Sequence, residues 1–153
     1  MSNLFNTTFE NSLRVLLVLA ADAKKPKTAD MIAAVDFLTI YGGTLGLTDT
    51  NLHGENPFSF SEFTSRRELV FDAVKELVVK GLVTAEKCQT GFCYKISPIG
   101  MNVVSSLDSD FATEYAVAVH QTLEWAGEKD EQEIIAFMDE GATLALKEGG
   151  DNG

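Results

Sequence analysis

The chain has little positive charge. Twelve lysines and arginines stand against 23 aspartates and glutamates, a formal net charge of −11 over 153 residues. A protein that holds nucleic acid unaided draws most of its non-specific affinity from basic residues gathered on one face, so autonomous DNA binding is not expected. Long hydrophobic runs are also missing. The longest, Val15–Ala21, falls far short of the ~20 residues that span a bilayer. The opening residues lack the basic n-region and small-residue cleavage site of a secretory signal, which makes a cytoplasmic protein with no membrane partner the expectation. Two cysteines (Cys88 and Cys93) and two histidines (His53 and His120) do not form the paired ligand spacing of a zinc site. In a cytoplasmic chain the cysteines are expected to be free thiols, although a disulfide across a turn is geometrically conceivable. No Walker-type loop, dinucleotide fingerprint or nucleophile–base motif is present, so neither a cofactor nor an enzymatic activity is expected.

What is present is a 45% hydrophobic composition, enough for a real core, and one well-marked supersecondary unit between Ser59 and Leu107. Leu69, Val70, Ala73, Val74, Leu77 and Val78 recur at helical spacing and stop at Gly81. A β-hairpin is predicted next, Leu82–Cys88 and Phe92–Ile96, turning at Gln89-Thr90-Gly91. Ser97-Pro98 then opens a helix, with serine as N-cap and proline at the first helical position, packing back through Ile99, Val103 and Val104. Helix, two-stranded wing, helix is the order of a winged-helix domain. The predicted fold class is therefore mainly α with a small β-hairpin (α+β), a winged helix carrying extra C-terminal helices.

Four further helices flank this unit. Thr7-x-x-Glu10 is a capping box for a first helix that carries Phe9, Leu13, Leu16 and Leu17 on one face and is apolar almost all round, ending before Pro26. Thr28 caps a second helix with Met31, Ile32, Val35, Leu38 and Ile40 on its apolar side, ended by Gly42-Gly43. The third helix has two candidate starts, the capping boxes Ser59-x-x-Glu62 and Ser65-x-x-Glu68. After Asp108 or Ser109 a helix runs through Phe111, Tyr115, Val119 and Leu123 to Trp125, and another follows, capped by Asp130, with Ile134, Ile135, Phe137 and Met138. Charge divides the chain similarly: residues 1–107 hold ten basic and eleven acidic side chains, residues 108–153 two and twelve. The expected organisation is a winged-helix domain over 1–107, including a 42–58 loop, an acidic helical extension over 108–148, and a tail over 149–153.

The 42–58 segment has no regular periodicity, and loops of that length usually carry function or disorder. Phosphate binding by Gly42-Gly43-Thr44-Leu45-Gly46 fails for want of the motif. Asp49, Asn51 and Gly54 open like a calcium loop, but Phe60 stands where the closing glutamate is required, so no metal is expected. The third reading is a recognition surface in which Phe58, Phe60 and Phe63 are followed by Arg66 and Arg67, a composition typical of interface anchors. If the third helix read DNA, its exposed positions would include Glu68, Asp72 and Glu76, a carboxylate column where a major-groove helix needs donors.

Several stretches carry a family resemblance. Phe5-Asn6-Thr7-Thr8-Phe9-Glu10-Asn11-Ser12-Leu13-Arg14, Asp36-Phe37-Leu38-Thr39-Ile40-Tyr41-Gly42, Asn51-Leu52-His53-Gly54, the run from Phe60 to Val70, Gly81-Leu82-Val83 and Gly91-Phe92-Cys93-Tyr94-Lys95-Ile96 resemble middle components of bacterial ABC three-component systems. The resemblance covers most of residues 5–125. It implies two partners, an ABC-type ATPase related to the chromosome-structuring and DNA-repair ATPases and a variable effector, in systems proposed to act in antiphage defence. By analogy with condensin-like winged-helix subunits it implies a non-enzymatic adaptor, with room for a homodimer. Asn51, His53, Phe60, Glu62, Arg66 and Arg67 are family-typical, and with Phe58 and Phe63 they form the candidate partner-contact set. The alternative is a winged-helix transcriptional regulator, which would need Lys75, Lys80, Lys87, Lys95, Arg66 and Arg67 to converge. A small-molecule sensor with a pocket under the 42–58 loop is a third class.

Overall fold

The structure is a computed structural model that describes residues 8–47 and 60–138. Its elements are α1 (Thr8–Ala21), α2 (Ala29–Ile40), α3 (Gly42–Leu45), α4 (Phe60–Val79), β1 (Val83–Cys88), β2 (Gly91–Ile96), α5 (Pro98–Ser105), α6 (Asp110–Ala126) and α7 (residues 131–138). The described residues are thus mainly helical with one two-stranded antiparallel sheet.

The centre is α2. All residues from Ile32 to Ile40 are buried, so this helix has no solvent face, more than the one apolar side expected from its pattern. Such a helix is stable only when neighbours cover it all round. α1, α4 and α6 pack against it, and α1 is itself buried from Leu13 to Leu19. The acidic α6 joins the same hydrophobic core, since Ala112, Tyr115, Val119 and Ala126 lie in it beside Leu16, Phe37 and Val74. Ile134 and Met138 of α7 complete that core.

Local chemistry sets the element ends. The Thr28 hydroxyl accepts from the Met31 amide at 3.0 Å, Ser97 from Gly100 at 3.0 Å, and Ser109 from Ala112 at 3.1 Å, each satisfying an otherwise orphaned helix-start donor. Asp130 and Glu133 form a reciprocal capping box, the Glu133 amide donating to Asp130 at 2.8 Å and the Asp130 amide to Glu133 at 3.4 Å. Gly81, at φ +77°, ends α4 in the left-handed region. Of the two candidate caps of α4, Ser65 lies inside the helix, while Ser59, like Thr7, falls outside the described residues.

Three expectations change. Gly42-Gly43 does not leave the chain in a loop: α2 ends at Ile40 and the glycines begin the turn of α3, closed by Gly46 at φ +77°. Ile99 and Phe9, placed on apolar faces by their spacing, are 58% and 70% exposed. Their helices pack through neighbouring faces, α5 through Gly100, Val103 and Val104. The cysteines are not free thiols. β1 pairs with β2 in a register that sets Cys88 opposite Gly91 and Glu86 opposite Cys93, leaving a two-residue turn, Gln89-Thr90. Cys88 and Cys93 are thereby diagonal neighbours on one face, with Cα atoms 5.9 Å apart, and are joined as a disulfide.

The hairpin is not isolated. Lys27, between α1 and α2, donates to the Tyr94 carbonyl at 2.9 Å and accepts from the Tyr94 amide at 2.8 Å, adding a one-residue bridge to the outer edge of β2.

Candidate partner-contact site

The expected contact set separates by helical phase. Phe63, Arg66 and Val70 fall three and four residues apart and point inward from α4. Phe63 is buried edge-on against Phe37, with ring centroids 5.3 Å apart, and Arg66 is only 3% exposed. Arg67, one position on, turns outward. Its guanidinium lies 5.1 Å from the centre of the Phe71 ring and donates to Asp30 at 2.5 Å, a hydrogen bond that raises its pKa and ties the first half of α4 to the start of α2. On the same edge the Thr28 hydroxyl donates to Glu131, which brings α7 alongside. Asn51, His53 and Phe58 lie outside the described residues; Phe60 and Glu62 occupy the first turn of α4. Of the eight, Phe63, Arg66 and Arg67 therefore have described side chains, and only Arg67 faces solvent.

Behind this edge lies a buried polar centre that sequence reasoning missed. Arg14 of α1 is fully buried and donates through Nε to Asp36 Oδ1 of α2 at 2.9 Å, while its Nη2 donates to Asn11. The Tyr115 hydroxyl of α6 donates to the same Asp36 oxygen at 2.5 Å. A few residues away the Thr39 hydroxyl donates to Val35 O at 2.7 Å and meets that of Thr122 at 3.0 Å. The signal is in the sequence: past the acidic first turns at Glu10 and Asp30, Arg14 and Asp36 are the charges in the apolar bodies of their helices, and they must find partners if both helices are buried. This centre fixes the rotation of α1, α2 and α6 relative to one another.

Burial, foremost, and the Asp36 carboxylate push the Tyr115 phenol well above its ordinary value of 10.0. As pH rises through about 10 the unfolded chain loses this proton while the folded chain keeps it, so folding stability falls with pH in that window. The slope contributed by one such proton is about 1.4 kcal/mol per pH unit. Tyr115→Phe is expected to lower stability at neutral pH by removing a hydrogen bond to a buried charge, but to flatten the fall above pH 10. Urea unfolding of both proteins from pH 8 to 11 reads this; equal slopes would contradict it.

The remaining polar face of α4 is mixed. Glu68, Asp72 and Lys75 are exposed, and Glu76 pairs with Lys80 at 2.9 Å. The six cations needed for a DNA-reading face do not act together. Arg66 is buried, Arg67 is engaged by Asp30 and Lys80 by Glu76, Lys95 is half-buried, and Lys75 and Lys87 are exposed. Among the described residues no group of three or more His, Cys, Asp or Glu side chains is placed to hold a metal ion, and no helix is long and apolar enough to cross a membrane.

A family model described as ABC-three component (ABC-3C) system Middle Component 2 matches residues 4–148. The chain belongs to that family. No curated protein and no solved structure matches it. Membership of Middle Component 2 makes the chain one part of a three-component system, with partners in that system. The match runs through α6 and α7, so the acidic third belongs to the family unit together with the helix–hairpin–helix segment.

Proposed function

We propose that this middle component is a non-enzymatic winged-helix adaptor that links an ABC-type ATPase to an effector protein in a bacterial defence system. The family match over residues 4–148 carries this reading. The winged-helix part is supported by the order α1, bridge residue Lys27, α2, α4, β1, β2. In that frame Lys27 stands where a winged helix has its first short strand, paired with the wing through Tyr94. A purely positional role is supported by the buried pair of Arg14 with Asp36, which joins α1 to α2. The adaptor would transmit ATPase state through a rigid body. Within the contact set, Arg67 and the 51–62 segment would touch the partner, and Phe63 and Arg66 would hold the start of α4 in place.

The test is co-expression of the three components with a tag on the effector. The ATPase is expected to be retained on the effector only when this chain is present, and Arg67→Glu is expected to reduce that retention at least tenfold with unchanged circular dichroism. Retention of the ATPase in the chain's absence, or recovery of the chain alone with salt-sensitive DNA binding, would sink the adaptor reading.

A further inference from the structure

Beyond the edge at Arg67, a second surface lies at the other end of α4. Val79, the last residue of the helix, is 86% exposed, and Phe92 of β2 is 56% exposed. With Val78, Tyr94 and Lys75 they line a shallow hollow of about 280 Å³ between the helix end and the hairpin. The cross-strand register makes this one continuous face. Val83 pairs with Ile96 at its buried end, Ala85 with Tyr94 in the middle and Lys87 with Phe92 at the tip, so apolar side chains run outward from the core onto the surface. Single exposed apolar residues are ordinary, but a contiguous patch with a charged rim marks an interaction surface.

The rim identifies the occupant. Lys75 lines the hollow and Lys87 stands opposite Phe92; both are exposed. Among the described residues no carboxylate lines the hollow, in a chain whose acidic residues outnumber its basic ones 23 to 12. We propose that this hollow docks an acidic amphipathic helix of one of the other two components, its apolar stripe over Val79 and Phe92 and its carboxylates against Lys75 and Lys87. An apolar groove between a helix end and a hairpin takes side chains spaced three and four residues apart, and lysines at its rim set orientation and association rate. The proposal rests on the adaptor reading and names a second contact for it. Two surfaces, one at Arg67 in the first half of α4 and the hollow at its end, are what a bridging subunit needs. The disulfide ties the hairpin tip that presents Phe92 and lies on the opposite face of the strands, where it does not obstruct the hollow.

The experiment is zero-length carbodiimide cross-linking of the purified three-component complex, which joins lysine amines to carboxylates in direct contact, followed by peptide mass spectrometry. Cross-links from Lys75 or Lys87 to Asp or Glu of one helical segment in a partner are expected. In parallel, Val79→Asp, Phe92→Asp and Lys75→Glu/Lys87→Glu are each expected to weaken complex recovery at least tenfold while the isolated chain keeps its thermal midpoint, since all four side chains are exposed. A complex that forms normally with these variants overturns the inference and leaves the adaptor reading standing. Cross-links to residues after 108 of a second copy of this chain overturn it in favour of self-association. Loss of duplex DNA binding in Lys75→Glu/Lys87→Glu, with no partner cross-link, overturns it in favour of nucleic acid. Failure to recover any complex sinks both readings together.

Discussion

Asp36→Ala is expected to destabilise the chain by about 3–5 kcal/mol, the usual penalty for removing one partner of a buried ion pair. The carboxylate is 1% exposed and receives both the Arg14 guanidinium, itself 0% exposed, and the Tyr115 hydroxyl. Its removal takes the counter-charge from a guanidinium that no solvent reaches and the acceptor from a buried phenol. Against a total stability of roughly 5–15 kcal/mol for a domain, the loss would lower the thermal midpoint by about 10 °C or more. The pair's net worth is a separate quantity. Desolvating two charges offsets most of their attraction, so Arg14→Met/Asp36→Leu/Tyr115→Phe is expected to recover much of the loss. Urea unfolding of the wild type, the single variant and the triple variant separates the two. A single variant within about 1 kcal/mol of wild type would mean that the centre does not hold α1, α2 and α6 together.

Much of this architecture was legible because its signals are local. Thr28, Ser97-Pro98, Ser109 and Asp130 announce helix starts through side-chain oxygens that satisfy orphan amides, and Gly81 announces a stop through a backbone conformation that other residues avoid. The hairpin is legible from its turn at Gln89-Thr90-Gly91, although β1 begins one residue later than expected, at Val83, and β2 one residue earlier, at Gly91. What was not legible depends on which face of a helix meets a neighbour. Phe9 and Ile99 sit on apolar stripes wider than the surface that covers them, and are left outside. Arg66 and Arg67 read alike as neighbours in sequence, but a rotation of ~100° per residue sends one into the core and the other to Asp30. Asp36 stands out only once α2 is known to be buried on every side, since a charge in such a helix has to be paired. Compartment argues for free thiols, whereas the register of the strands brings Cys88 and Cys93 together as a disulfide. The contact residues Asn51, His53 and Phe58 were drawn from a segment whose composition is informative and whose periodicity is not.

Gly100→Ala is expected to destabilise the chain by about 1–3 kcal/mol, the cost of overpacking a tight contact, in a position where helix propensity alone predicts a gain of about 0.5–1 kcal/mol. The glycine lies in the first turn of α5 and needs no unusual backbone conformation; its reason is space. A Cβ there would stand 2.3 Å from the Leu82 carbonyl oxygen and 2.7 Å from Ile96 Cγ1. The isoleucine can turn aside, but the carbonyl cannot easily do so, because it accepts the Ser97 amide at 3.0 Å while the Ser97 hydroxyl donates to Gly81 O at 2.7 Å. These two bonds clamp the end of α4 to the start of α5 at the base of the hairpin. Pushing α5 away would strain the clamp and shift the strands that carry Tyr94 and Phe92. Asn102→Ala, at an exposed position of the same helix, serves as the control and is expected to stabilise by up to about 0.5 kcal/mol. Hydrogen exchange at the Ser97 amide gives a second readout, faster in Gly100→Ala and unchanged in Asn102→Ala. If Gly100→Ala were stabilising, as at an ordinary helix position, the close approach of α5 to Leu82 would not exist, and the hairpin would not be held at a fixed angle to α4. The hollow between them would then lose its shape, so the same variant bears on whether a rigid partner helix can be received there.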